Sequence, residues 1–510
     1  MSLEDYIADP WKAEKSHPAY IDSAFAIKPA PEFATSEVMI SSLYRALGFD
    51  GFSERSVIQN ALPFQKASSS TGPLANGSVS NDTWQTVLYS ALASPKQSHQ
   101  SARRVLQMTP LVPDANLYSG SARLAGNPWN PGALVRRVIQ MGTDTEEEAN
   151  SLWSLLFGAL SVDSDDDAWA RWLQDEFARR KLATISAIWH QVPWKQDSTD
   201  IATSDKSSLR FPAQQFVIDI RSVIAAKSSM TRRQWISLFE AVVRIGAVSH
   251  VLWLCGVSSR LWEQALRIIA GTSEAPNSVD EVRDLVFSST KHHLNYGSVV
   301  LPAIKNIASS YLSARLGLNI LLWQMEEFGI AIDPLSSSEE ILKFFKLIQE
   351  HRSRLASANV LLEYQRLRDD IDHARTLACK KGIGSNLIEF ARYSLGRRQT
   401  AESTLRSYDQ SYVLNKRGAA NNSPWIVSLG PVALLALVHC CLRQYRGPRS
   451  VRHLSEHLAL YGISLSVDNI SASELGKELR MLGLILDSPD AESGILLVPP
   501  FDLSEIEVTV

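Results

Sequence analysis

The stretch 338–381 contains neither glycine nor proline. Ile341, Phe344, Phe345, Ile348, Leu355, Leu361, Leu362, Leu367, Ile371 and Leu377 recur along it at helical spacing, so it has to be helical. As one helix it would reach about 65 Å. Ser357-Ala358-Asn359 interrupts the apolar stripe, and the polar positions keep no sustained heptad. The expectation is a bent helix pair inside a domain rather than a coiled coil.

The same periodicity governs the chain from Gly132 onward. It predicts helices over 133–141, 146–160, 165–192, 212–226, 232–256, 259–270, 279–289 and 299–328. Further helices are expected over 37–47, 83–92 and 98–108, with a Ser, Gly, Asn and Pro linker at 66–82. Trp153, Trp169, Trp172, Trp189, Trp235, Trp253, Trp262 and Trp323 fall inside these helices, where indoles fill cores. Gly382-Ile383-Gly384-Ser385 reads as a break, after which 386–398 resumes as a basic amphipathic helix. The fold class is mainly α, a multi-helical body with a distinct carboxy-terminal unit. Four regions follow: 1–130, a Trp-rich 131–335, 336–420 with the long helix or hairpin and a basic segment, and 421–510.

The last region has its own grammar. Gly430-Pro431 opens an apolar helix with Leu434, Leu437, Val438, Cys441 and Leu442 as its buried stripe. Gly447-Pro448 breaks the chain, and Ser450 caps a second helix with Val451, Leu454, Leu458 and Tyr461 on one face. Ser471-Ala472-Ser473-Glu474 reads as a capping box for a third helix that turns Leu475, Leu479 and Leu482 inward. Segments 484–486 and 495–498 then form a hairpin. Helix, helix, helix and hairpin over 424–498 resemble a winged helix-turn-helix, a fold often used on DNA. The resemblance covers about the final sixth of the chain. It makes Arg443, Arg446, Arg449, Arg452, Lys477 and Arg480 the expected phosphate contacts. The unit is expected to close its own core and to fold alone from about residue 421.

Charge supports and opposes that reading. Between Arg375 and Arg452 there are thirteen basic residues against three acidic ones, in a chain whose net charge is −3. A basic block inside an otherwise acidic protein points to a polyanion or an acidic partner. From Pro424 to Val510, however, six Lys or Arg face ten Asp or Glu, and a duplex repels that balance unless the acids turn away. Cys255, Cys379, Cys440 and Cys441 have neither CxxC nor metal-ligand spacing, so reduced thiols and a cytoplasmic location are expected. The amino terminus lacks the basic and apolar regions of a signal peptide, and the most apolar window, 432–442, is too short for a bilayer. No membrane association is expected.

Two local patterns carry chemistry elsewhere. Arg368-Asp369-Asp370-Ile371-Asp372-His373 is similar to the Arg-x4-His pattern of the HEPN family of helical ribonucleases. The similarity implies a metal-free site with His373 as acid or base and Arg368 as phosphate holder, often across a dimer. His453-Leu454-Ser455-Glu456-His457 has the letters of the inverted zinc proteases, but its third ligand would have to come from Glu474, Glu478 or Glu492, all inside the carboxy-terminal unit. Asp163, Asp165, Asp166 and Asp167 read as acids at a helix start. Gly382-Ile383-Gly384 lacks the strand and third glycine of a nucleotide loop. No catalytic residue, cofactor or metal is assigned. The expected role is a non-enzymatic, DNA-associated subunit or adaptor of a multi-protein assembly, of the kind found in bacterial DNA-processing and anti-phage systems. The alternatives are a HEPN-like metal-independent ribonuclease and a purely protein-binding scaffold.

Overall fold

Helix makes up 65% of the structure and strand 5%, so the core has to be closed by helix packing. The computed structural model describes residues 2–27, 36–48, 64, 77–94, 106–119, 130–180, 190–194, 211–287, 293–398, 408–418, 420, 422–443, 447, 449–468, 470–486 and 495–501. The amino-terminal region contributes α1 (Leu3–Ala8), α2 (Pro18–Ile21), α3 (Ser36–Leu47) and α4 (Asn81–Thr86), the last continuing into a π-helical turn, Val87–Leu92. Next come α5 (Pro131–Gly142), α6 (Glu146–Leu160), α7 (Ala168–Arg179) and α8 (Ala213–Ala225). The centre holds α9 (Arg232–Ile269), α10 (Val279–Val286) and α11 (Leu301–Glu327). Then follow α12 (Ser338–Glu350), α13 (Arg352–Ser357), α14 (Val360–Asp369), α15 (Ile371–Leu377) and α16 (Gly382–Leu395). The chain ends with α17 (Pro431–Arg443), α18 (Val451–Ala459) and α19 (Glu474–Met481). The short strands are β1 (Leu294–Asn295), β2 (Leu414–Lys416), β3 (Trp425–Val427), β4 (Ile463–Ser464), β5 (Ile485–Leu486) and β6 (Leu496–Leu497).

Side-chain caps set many of the helix starts. Thr145, Asp167, Thr231, Ser278 and Ser337 each accept from the backbone N–H three residues on, satisfying a donor the helix cannot. Ser473, not Ser471, caps α19 by accepting from Gly476 N at 3.1 Å, because Ile470–Ala472 is taken up by a 3-10 turn.

Several helix boundaries differ from the periodicity. The separate helices expected over 232–256 and 259–270 are one, α9, which runs straight through Gly256. A helix-interior glycine costs only about 1 kcal/mol, and the buried side chains on both sides outweigh it. By length and composition α9 could cross a membrane, yet its apolar window is wholly buried inside the fold. The helix expected over 165–192 ends at Arg179; residues 190–194 are irregular, and Val192 N–H donates to Leu47 O at 2.7 Å. The bent pair expected over 338–381 is four short helices, α12 to α15. Their breaks fall at His351, at Asn359, which is left-handed with φ 55°, and at Asp370. Asparagine tolerates that conformation, and the Asp370 carboxylate accepts from Asp372 N at 2.7 Å to start α15. Conversely, Gly382 and Gly384 open α16 instead of breaking the chain. The expected linker 66–82 and helix 98–108 lie largely outside the described residues; at their described ends, Asn81 begins α4 and Met108 bridges to Ala93.

One continuous apolar cluster extends from Tyr6 to Leu497. The central helix α9 packs against α5, α8, α11 and α17. Helix α17 is buried along Ala433, Leu434 and 436–442, on every face, because it is held between α8, α9 and α18. The expectation that the last unit closes its own core is therefore corrected: α17 is apolar all round, and half of it serves the body. Parallel pairing of Leu294 with Ile463 and Asn295 with Ser464 adds a backbone tie.

Candidate nucleic-acid interface and a charged cavity

The unit after Gly430 has a specific order of pairing. Between α17 and α18, Ser450 bridges antiparallel to Leu496, with Val451 N donating to Ile495 O at 3.0 Å and Leu497 N to Arg449 O at 2.7 Å. Leu496 and Leu497 in turn pair with Leu486 and Ile485. The result is a three-segment ribbon flanked by α18 and α19. Leu475 and Leu479 anchor α19 inward, so Glu474, Lys477, Arg480 and Met481 face solvent.

The six cations named from sequence fall into three groups. Arg452, Lys477 and Arg480 are exposed; Arg443 and Arg449 are half-buried at the helix ends; Arg446 lies outside the described residues. Two of the exposed ones are matched within their own helices: Arg452 Nε lies 3.2 Å from Glu456 Oε1, and Lys477 Nζ 2.9 Å from Glu474 Oε1. Glu478 is half-buried, and burial followed by the neighbouring Glu474 raises its carboxyl above the ordinary value. Met481 and Leu486 are 78% and 60% exposed, which places apolar surface beside these charges.

The HEPN-like residues are split by a helix break. Arg368 lies on α14 and His373 on α15, with the Asp370 cap between them. Arg368 Nε lies 3.5 Å from Asp369 Oδ1. His373 Nδ1 accepts a hydrogen bond from Trp11 Nε1 at 3.0 Å, so the ring bolts the amino-terminal segment to α15.

The histidines of the zinc-like pattern also face different ways. His453 Nδ1 accepts from Ser450 N at 3.1 Å, whereas His457 Nε2 meets the buried Asp219 Oδ2 at 3.0 Å. Among the described residues no group of three or more His, Cys, Asp or Glu is placed to hold a metal ion.

A second feature was not singled out in the sequence. Arg244, buried within α9, reaches Glu240 Oε1 at 3.1 Å and Asp409 Oδ1 at 2.9 Å, and donates to Ser394 O and Gly396 O at 2.7 Å each. Arg398 Nη2 donates to the same Glu240 oxygen at 2.7 Å, and its backbone N–H reaches Asp409 Oδ2 at 2.9 Å. Burial would raise the Asp409 carboxyl, but Arg244 and Arg398 beside it bring it down to about 2. Above this network lies a cavity of about 110 Å³ walled by α9, the 408–411 segment and the first turn of α17. The available signal was Glu240 and Arg244 one turn apart as the only Asp, Glu, Lys or Arg residues in the apolar stretch 235–255, a spacing that marks a buried pair needing an outside partner.

No known protein family matches this chain, and no curated protein is similar to it in sequence.

Proposed function

We propose that the chain is a non-enzymatic, DNA-associated subunit or adaptor whose carboxy-terminal unit is a winged helix rooted in a helical body. The observation that carries this reading is the order of the unit. The Ser450 segment between the first two helices joins the far strand of the hairpin, while α19 stays outside that ribbon with Lys477 and Arg480 facing solvent. In such an arrangement the third helix supplies base-edge contacts and the flanking cations hold phosphates. The intrahelical partners of Arg452 and Lys477 do not forbid it, because exposed pairs are weak and salt-screened, and phosphates can replace them.

A gel shift with duplex DNA tests the reading, comparing the parent chain with the Arg452→Ala, Lys477→Ala, Arg480→Ala triple variant. These side chains are exposed, so the fold stays intact. Loss of the shift supports DNA contact, and an unchanged shift removes it. The exposed Met481 and Leu486 favour a second reading, in which the same face docks a protein partner of the assembly.

A further inference from the structure

We infer that the cavity above the Arg244–Asp409 network is a binding site for a single small oxyanion of the phosphate class, held between Arg233 and Arg398. Charge is the first argument. Three guanidiniums, Arg233, Arg244 and Arg398, meet two carboxylates, Glu240 and Asp409, in and beneath the cavity. Arg244 and Arg398 are engaged with both carboxylates. Arg233, exposed at the mouth, has no ion-pair partner among the described residues. Among the described residues the site thus carries one more positive than negative charge.

Size is the second argument. A cavity of about 110 Å³ holds roughly three or four waters at ~30 Å³ each. That is room for one tetrahedral oxyanion. The walls are the third argument. Thr109, Tyr408 and Gln410 bring hydroxyl and amide groups to the lining, with Thr109 Oγ1 and Tyr408 OH 3.1 Å apart. The Arg398 side chain is only 6% exposed and already fixed by Glu240, so the anion meets a cation that pays no further ordering cost. The oxyanion can be free inorganic phosphate or a phosphate of a nucleic-acid backbone; the inference does not depend on the carboxy-terminal unit touching DNA.

The test uses the full chain and inorganic phosphate. Thermal unfolding is followed against phosphate concentration with chloride at matched ionic strength, for the parent, Arg233→Gln and a control, Lys343→Gln, on a helix that does not line the cavity. A ligand that binds only the folded state raises the midpoint with its concentration. The expected result is phosphate stabilisation beyond chloride, with affinity about tenfold weaker in Arg233→Gln, the loss of one charge-assisted contact, and unchanged in Lys343→Gln. Arg233 is exposed, so its replacement leaves the buried network in place. Duplex binding by Arg233→Gln then separates the sources: weakened binding assigns the phosphate to the DNA backbone, and unaltered binding assigns it to a free oxyanion. Phosphate that stabilises no better than chloride, or that binds Arg233→Gln as well as the parent, overturns the inference.

Discussion

His457 Nε2 and Asp219 Oδ2 lie 3.0 Å apart, and through them α18 of the last unit is fastened to α8 of the body. Asp219 also receives Tyr461 OH at 2.7 Å and Gln215 Nε2 at 2.7 Å, so three donors converge on one fully buried carboxylate. Asp219→Ala orphans all three. The expected cost is about 3–5 kcal/mol, the range for breaking a buried charged network. Urea denaturation measures it, and protease cleavage ahead of α17 should accelerate. A fragment beginning near residue 421 should fail to unfold cooperatively, because α17 loses its contacts with α8 and α9. Parent-like stability of Asp219→Ala would mean the unit is held elsewhere.

His250, on α9, presents the opposite case. It is fully buried, and neither ring nitrogen has a hydrogen-bond partner among the described residues. Burial, then the nearby Arg137, depresses its pKa from 6.5 to about 3. Its folded-state pKa lies below the unfolded one, so below pH 6.5 the unfolded chain binds more protons. The stability that His250 leaves intact above 6.5 is thus lost as pH falls from 6.5 toward about 3. His250→Leu should raise stability by about 1–3 kcal/mol by removing an unsatisfied polar group, with a flatter dependence across that window. Melting temperatures of both proteins over the acid range check this, and parallel curves would contradict it.

The contact between α9 and α11 depends on one missing side chain. A Cβ on Gly317 would stand 2.2 Å from the ring of Trp262, and both residues are held by their helices. Gly317→Ala should cost about 1–3 kcal/mol through overpacking. A denaturant midpoint equal to the parent's would show that Trp262 can move aside.

Metal-independent RNA cleavage is not expected. His373 Nδ1 is taken by Trp11, and Arg368 sits across a helix break beside Asp369. Incubation of single-stranded RNA with the protein in EDTA should leave it intact, and His373→Ala should behave like Trp11→Phe, losing one surface tie. Cleavage that vanishes in His373→Ala but survives Trp11→Phe would promote the ribonuclease.

Periodicity located most helices here because each apolar stripe had one face to bury: α6 begins and ends where the sequence places it. It misplaced boundaries wherever tertiary contacts set them. Gly256 is carried through α9 by packing on both sides, and Gly384 lies within α16 at a close approach, where an added Cβ would stand 2.7 Å from Leu312 and 2.8 Å from Cys379. The charged cavity was illegible for a different reason. The Glu240–Arg244 pair and the Arg398–Asp409 pair are far apart in the chain, and Arg398 and Asp409 looked like part of a basic, solvated stretch. Only the fold reveals that Asp409 is the buried partner of a helix residue 165 positions earlier.

The salt dependence of duplex binding tests the DNA reading most directly. Each phosphate contact releases counterions, so log affinity should fall against log salt with a slope of about −0.9 per contact. With Arg452, Lys477 and Arg480 all engaged, the parent should show a slope of roughly −3 or steeper from these and neighbouring cations. The triple alanine variant should bind more weakly and with a correspondingly shallower slope. Absence of duplex binding at low salt, or a parent and variant with the same affinity and slope, would contradict it and leave the exposed face of α19 to a protein partner.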